Sequence, residues 1–101
     1  MTDMPFHVVA DWGRCETLAE DAAFTLKRMT VRPGCGISPR HRPFREHWYV
    51  VEGRADAEVE GTRLLLGAGQ AVDIPADSWH RVANGGQGLL TMIVVQAAGR
   101  H

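Results

Sequence analysis

Imidazole, carboxylate and guanidinium groups crowd into one stretch of this sequence, Arg40-His41-Arg42-Pro43-Phe44-Arg45-Glu46-His47-Trp48, and a further histidine, His80, follows Pro75-Ala76-Asp77. Two imidazoles and one carboxylate on neighbouring strands would suit a first-row divalent metal with open coordination positions. The arginines carry a different chemistry. Arg40 and Arg42 stand in a proline-bounded loop, and a guanidinium fork meets a phosphate or carboxylate with two hydrogen bonds at once. Trp48 and Trp79 flank the two stretches, and an amphipathic indole at the wall of a polar pocket offers a stacking face for a sugar.

Any such anion site must be local. Eleven Lys and Arg against 12 Asp and Glu leave a formal charge of -1, so no overall field draws the chain to nucleic acid or to an anionic membrane. The composition, 45% hydrophobic and 23% charged over 101 residues, predicts one folded domain spanning residues 1–101 with a single core. Cys15 and Cys35 lack the spacing of a zinc ribbon or a disulfide framework and read as reduced thiols. The N-terminus has no signal-like apolar run and no stretch is long enough to span a membrane, so a soluble cytoplasmic protein is expected.

The elements that must position these groups read as strands. Gly and Pro signals recur every 8 to 12 residues or so, the punctuation of an all-β sandwich or barrel. Residues 54 to 60 alternate small or apolar with charged side chains, and Glu60-Gly61 closes a hairpin into Thr62 to Leu66. Further strands are expected at Phe24–Val31, Trp48–Val51, Ala71–Ile74, Trp79–Ala83 and Leu89–Val95, several apolar on both phases. Thr17 to Ala23 is read as a polar loop rather than a single helical turn. Strand parity adds a test of direction. If Glu46 points inward, Trp48 and Val50 do too, while His47, Tyr49 and Val51 face out; an inward His80 sends Arg81 outward, towards a salt bridge.

The run from Glu46 to Gly53 resembles the second half of the first cupin motif, and Gly69 to Asn84, with Pro75, Asp77 and His80, resembles the second. The resemblance narrows further to the cupin domain of type II mannose-6-phosphate isomerases. The matching stretches are Trp12-Gly13, Lys27-Arg28, Val31-Arg32-Pro33-Gly34, Glu46-His47-Trp48, Ile74-Pro75, His80-Arg81 and Val94-Val95-Gln96, covering about residues 11 to 97. The resemblance implies a jelly-roll barrel of two antiparallel sheets, with a divalent ion (manganese, iron, nickel or zinc) held by His41, Glu46 and His80. Pro39 stands where the first motif usually brings another ligand, and Asp77 where a glycine is usual. In an alternative register, Arg40 and Arg42 fill the two histidine positions and place two cations where the metal belongs.

The function this implies is sugar-phosphate isomerisation, on mannose 6-phosphate or a similar phosphorylated or acidic sugar. Arg40, Arg42, Trp48 and Trp79 would contact that substrate, while no residue is assigned as the base. Two alternatives stand beside it: a 2-His-1-carboxylate iron oxygenase, and a non-catalytic cupin that binds a small anion. Apolar residues on both phases of several strands predict a homodimer.

Overall fold

The computed structural model of the chain describes residues 7–97; both ends of the expected 1–101 domain lie outside the described residues. Ten strands follow one another: β1 (His7–Ala10), β2 (Gly13–Glu20), β3 (Phe24–Val31), β4 (Gly36–His41), β5 (Glu46–Glu52), β6 (Arg54–Val59), β7 (Thr62–Gly67), β8 (Ala71–Ile74), β9 (Trp79–Asn84) and β10 (Leu90–Ala97). They form two antiparallel sheets, ordered β1-β2-β3-β10-β5-β8 and β4-β9-β6-β7. The turn spacing predicted the all-β class and the family resemblance the two antiparallel sheets, and both are found. Among the described residues no helix is long and apolar enough to cross a membrane.

Period-two alternation builds the core between the sheets. On β10, Leu90, Met92 and Val94 are buried while Thr91, Ile93 and Val95 are half-buried on the other face. Trp48 and Val50 join them from β5, and Ile37, Ala55, Ala57 and Val82 close the core from the smaller sheet. Each large aliphatic side chain sequestered this way contributes roughly 1.5–3 kcal/mol. Asn84, inside the second motif, is the polar exception. It donates to the carbonyls of Val31 (2.9 Å) and Gly88 (2.8 Å) and accepts from the Gly86 amide (2.9 Å), so its burial leaves no group unmatched.

Two glycines are dictated by backbone geometry. Gly61 (φ 83°), following Glu60 (φ 49°), gives the β6–β7 hairpin the two positive-φ residues of a tight primed turn. At Gly53, φ is 88° and a Cβ would stand 2.3 Å from the Leu89 carbonyl oxygen, so no side chain fits where the first motif ends.

The loop expected over Thr17 to Ala23 is corrected. β2 continues to Glu20, with Ala19 paired to Leu26 and Glu20 to Thr25 beyond a shift in register after Thr17. Only residues 21–23 turn, held by Asp21 Oδ1, which accepts from the amides of Ala23 (2.7 Å) and Phe24 (3.1 Å). Pairing with β3 overrides the polar local sequence, because a ladder satisfies backbone groups whatever the side chains prefer.

β4 carries a second irregularity, which positions the site. Ile37 pairs with Val82 but Arg40 pairs with His80, so three steps on β4 match two on β9. That extra residue is a β-bulge in an edge strand. Pro39 suits it, since proline has no amide to offer a ladder. The bulge reverses the inside-outside phase: Ile37 is buried in the core, and Arg40, at odd spacing from it, faces inward as well.

Candidate functional site

A cavity of about 220 Å³ opens between the sheets. β5 supplies Glu46 and Trp48, β9 supplies His80, β3 supplies Lys27, and β4 with the loop after it supplies Arg40 and Arg42. Each strand contributes through inward alternation, so the polar wall is an extension of the apolar core rather than a separate loop feature.

Glu46 is 4% exposed and fully engaged. Its Oε1 accepts from Trp48 Nε1 at 2.8 Å and its Oε2 from Gln96 Nε2 at 3.0 Å. Arg42 Nε lies 3.7 Å from Oε2, and His80 Nε2 lies 4.0 Å from Oε1. Such donors compensate the removal of a carboxylate from water. His80, 6% exposed, meets the edge of the Trp48 ring with centroids 5.4 Å apart. Its Nδ1 sits 3.1 Å from the Ser78 carbonyl oxygen. A carbonyl only accepts, so Nδ1 is the donor in this contact, and Nε2 faces Glu46 and the cavity.

The cations face the same space. Burial, and then repulsion from Arg42, lower the Arg40 pKa, with Glu46 partly offsetting them; a guanidinium nevertheless remains charged. Burial raises the Cys15 thiol above its ordinary value despite Lys27, Arg40 and Arg42 around it.

The structure divides the expected metal set. Glu46 and His80 come together, but His41 is exposed on the opposite face, its ring 5.2 Å from that of Trp79. Among the described residues no group of three or more His, Cys, Asp and Glu side chains is arranged to hold a metal ion. The positions flanking Glu46 and His80 are taken by Arg40 and Arg42, whose charge opposes a bound cation. The residues present therefore do not fit a divalent metal, and the physical reason is the bulge that turns Arg40 in and His41 out. Of the four residues expected to touch substrate, Arg40, Arg42 and Trp48 line the cavity. Trp79 is 58% exposed on the outer face, beside a separate shallow depression with Pro39 and His41.

Parity holds elsewhere. His47 faces out, its Nδ1 3.5 Å from Asp73, and Arg81 Nε donates to Glu58 at 3.0 Å, as a salt bridge. Among the cavity residues not picked out from the sequence as site residues are Lys27, Gln96, Trp12 and Cys15. The first three belong to stretches carrying the family resemblance, which was the available signal. Cys15 had none, since its inward direction depends on pairing with Met29 across the ladder.

Comparison with known proteins follows this geometry. The family described as "Mannose-6-phosphate isomerase C-terminal" matches residues 2–100. A mannose-1-phosphate guanylyltransferase from Escherichia coli strain K12 is 34% identical over 91 residues, covering 89% of this chain and 19% of that protein. The alginate biosynthesis protein AlgA of Pseudomonas aeruginosa is 36% identical over 91 residues, with the same coverage of 89% and 19%. The chain thus spans about a fifth of the length of these relatives. A solved structure from Methanocaldococcus jannaschii, described as an RmlC-like cupin family protein with a double-stranded beta-helix fold, superposes with TM-score 0.77 at 14% identity, covering 97% of this chain and 84% of that one. The barrel is a cupin.

Proposed function

The chain belongs to the mannose-6-phosphate isomerase C-terminal family, and from that premise we propose that it binds a small oxyanion, a phosphorylated or acidic sugar, in the cavity between its sheets. One observation carries this reading: Lys27, Arg40 and Arg42 converge on a single cavity, which Arg81, already paired with Glu58, also lines, while among the described residues Glu46 is its one lining carboxylate. Three cations against one anion leave a surplus of positive charge inside a low-dielectric wall, where an anion is held more strongly than in water. Trp48, Trp12 and Met29 give the same cavity an apolar side, the combination expected of a pocket that orients a polar ligand by a few groups and excludes water with the rest.

Isothermal titration of mannose 6-phosphate and of mannose separates the reading from a generic sugar site. Saturable binding of the phosphate ester alone is expected; equal binding of both sugars, or of neither, would overturn it.

A second reading, isomerisation of the bound sugar phosphate, is favoured by the Glu46–His80 pair. Moving a proton between adjacent carbons needs a group that takes it and one that returns it, and a carboxylate and an imidazole lie 4.0 Å apart in the cavity wall. Interconversion of mannose 6-phosphate and fructose 6-phosphate, followed by NMR in the presence of chelator, tests it directly. The oxygen-using alternative needs two histidines and a carboxylate around iron, a set this fold does not bring together.

A further inference from the structure

We propose that Arg40 and Arg42 take the place a divalent ion would hold in this barrel, so that the cavity grips its oxyanion through two guanidiniums and without metal. The inference rests on the anion-binding reading above and adds the means by which the charge is supplied.

The positions argue for it first. Arg40 is the cross-strand partner of His80, and Arg42, in the connection from β4 to β5, lies with its Nε 3.7 Å from the Glu46 carboxylate. Among the described residues the imidazole and the carboxylate are the only His, Asp or Glu side chains lining the cavity, each bordered by a fixed positive charge, and burial raises the pKa of the Cys15 thiol, which disfavours the thiolate a metal would need. A metal entering there would be repelled by both arginines while finding two protein donors, fewer than catalytic or structural sites use. Charge argues second. The two guanidiniums supply the same +2 as a divalent ion, spread over two planar forks that match the oxygens of a phosphate. With Lys27 added, Glu46 subtracted and Arg81 neutralised by its pair with Glu58, the cavity keeps a surplus of two positive charges, the complement of a phosphate monoester near neutral pH. Anchoring argues third. Glu46 holds Arg42 from one side and is itself fixed by Trp48 and Gln96, so the cation is pre-positioned before the ligand arrives. The backbone adds a clasp, since the Asp77 amide donates to the Arg42 carbonyl at 2.7 Å.

The test uses tag-free, chelator-treated protein, titrated in parallel with inorganic phosphate and with manganese, nickel or zinc. Wild type should bind phosphate with an affinity unchanged by EDTA and no stoichiometric metal. The Arg40→His/Arg42→His double variant, with its fold checked by circular dichroism, should bind about one metal ion per chain, lose that ion on adding Glu46→Gln, and bind phosphate at least tenfold more weakly without metal. Stoichiometric metal on wild type that Glu46→Gln removes would overturn the proposal, and phosphate binding that depends on that metal would do so while leaving the anion reading intact. A folded double variant that gains no metal also overturns it. Wild type that binds neither phosphate nor metal sinks the anion reading and this inference with it. Should the double variant not fold, the wild-type metal titration decides.

Discussion

Arg40 stands directly across the β4–β9 ladder from His80, while its neighbour His41 stands across from Trp79 on the other face. This pairing, rather than the residue types themselves, selects which basic side chain enters the cavity. Were the same residues paired without the bulge, plain alternation from the inward Ile37 would turn Arg40 out and His41 in. The cavity's chemistry is therefore set by a bulge in an edge strand.

Replacing Arg40 with glutamine removes a charge-assisted contact while keeping length and polarity. Affinity for inorganic phosphate should fall roughly tenfold to hundredfold, the scale of one lost hydrogen bond to a charged group. His41→Ala should leave it unchanged. Calorimetric titration of both variants checks the pair, and equal losses would place the ligand outside the cavity.

Trp48→Phe keeps most of the buried ring but deletes the Nε1 donor that reaches Glu46 at 2.8 Å. A buried carboxylate oxygen left short of its partner costs about 1–3 kcal/mol. Urea unfolding should show a loss of that size with an unchanged slope.

Asp77 sits at φ 61°, a left-handed conformation that costs an ordinary L-residue roughly 1–2 kcal/mol and glycine almost nothing. Asp77→Gly should raise stability by a fraction of that amount, aspartate being among the residues that tolerate this region best. Gly53→Ala works in the opposite sense. A Cβ 2.3 Å from the Leu89 carbonyl forces the backbone apart, and a loss of about 1–3 kcal/mol is expected. Thermal melts of the two variants should move in opposite directions.

Acid should weaken the fold through Asp56. Arg63 donates two hydrogen bonds to it, at 3.0 Å each, and this holds the carboxyl below its ordinary value. A carboxylate depressed in the folded state adds stability above its unfolded pKa of about 3.9, and loses it as pH falls through the lower folded value. The melting temperature should drop across that acid window. Asp56→Asn should lower the melting temperature at neutral pH and flatten that drop; an unchanged profile would remove Asp56 from the account.

The parts of the molecule legible in the sequence are those where alternation runs unbroken. Glu46, Trp48 and Val50 point inward and His47, Tyr49 and Val51 outward as parity predicted, because β5 pairs in steady register with β8. The 54–60 hairpin and its Glu60-Gly61 turn were equally plain, since a tight turn writes its φ demands into the residue types. Trp79 adjoins the inward His80, so unbroken alternation along β9 already turned it outward; His41 was misplaced for a different reason. Register along β4 depends on a bulge, and a bulge belongs to a pair of strands, so periodicity within one strand does not reveal it. The continuation of β2 through Thr17–Glu20 escaped for a related cause: its hydrogen bonds go to β3, not to its own neighbours in sequence.

The strand order has a kinetic consequence. Lys27, Glu46 and Gln96 come from the larger sheet, Arg40 and His80 from the smaller, and β3 finds β10 only after some sixty intervening residues have been threaded. Folds dominated by such distant pairings fold slowly, on the order of milliseconds to seconds. No partly assembled half of the barrel holds the complete ring of charges. On the proposed reading, anion capture therefore awaits the docking of the two sheets, and a bound anion then bridges them.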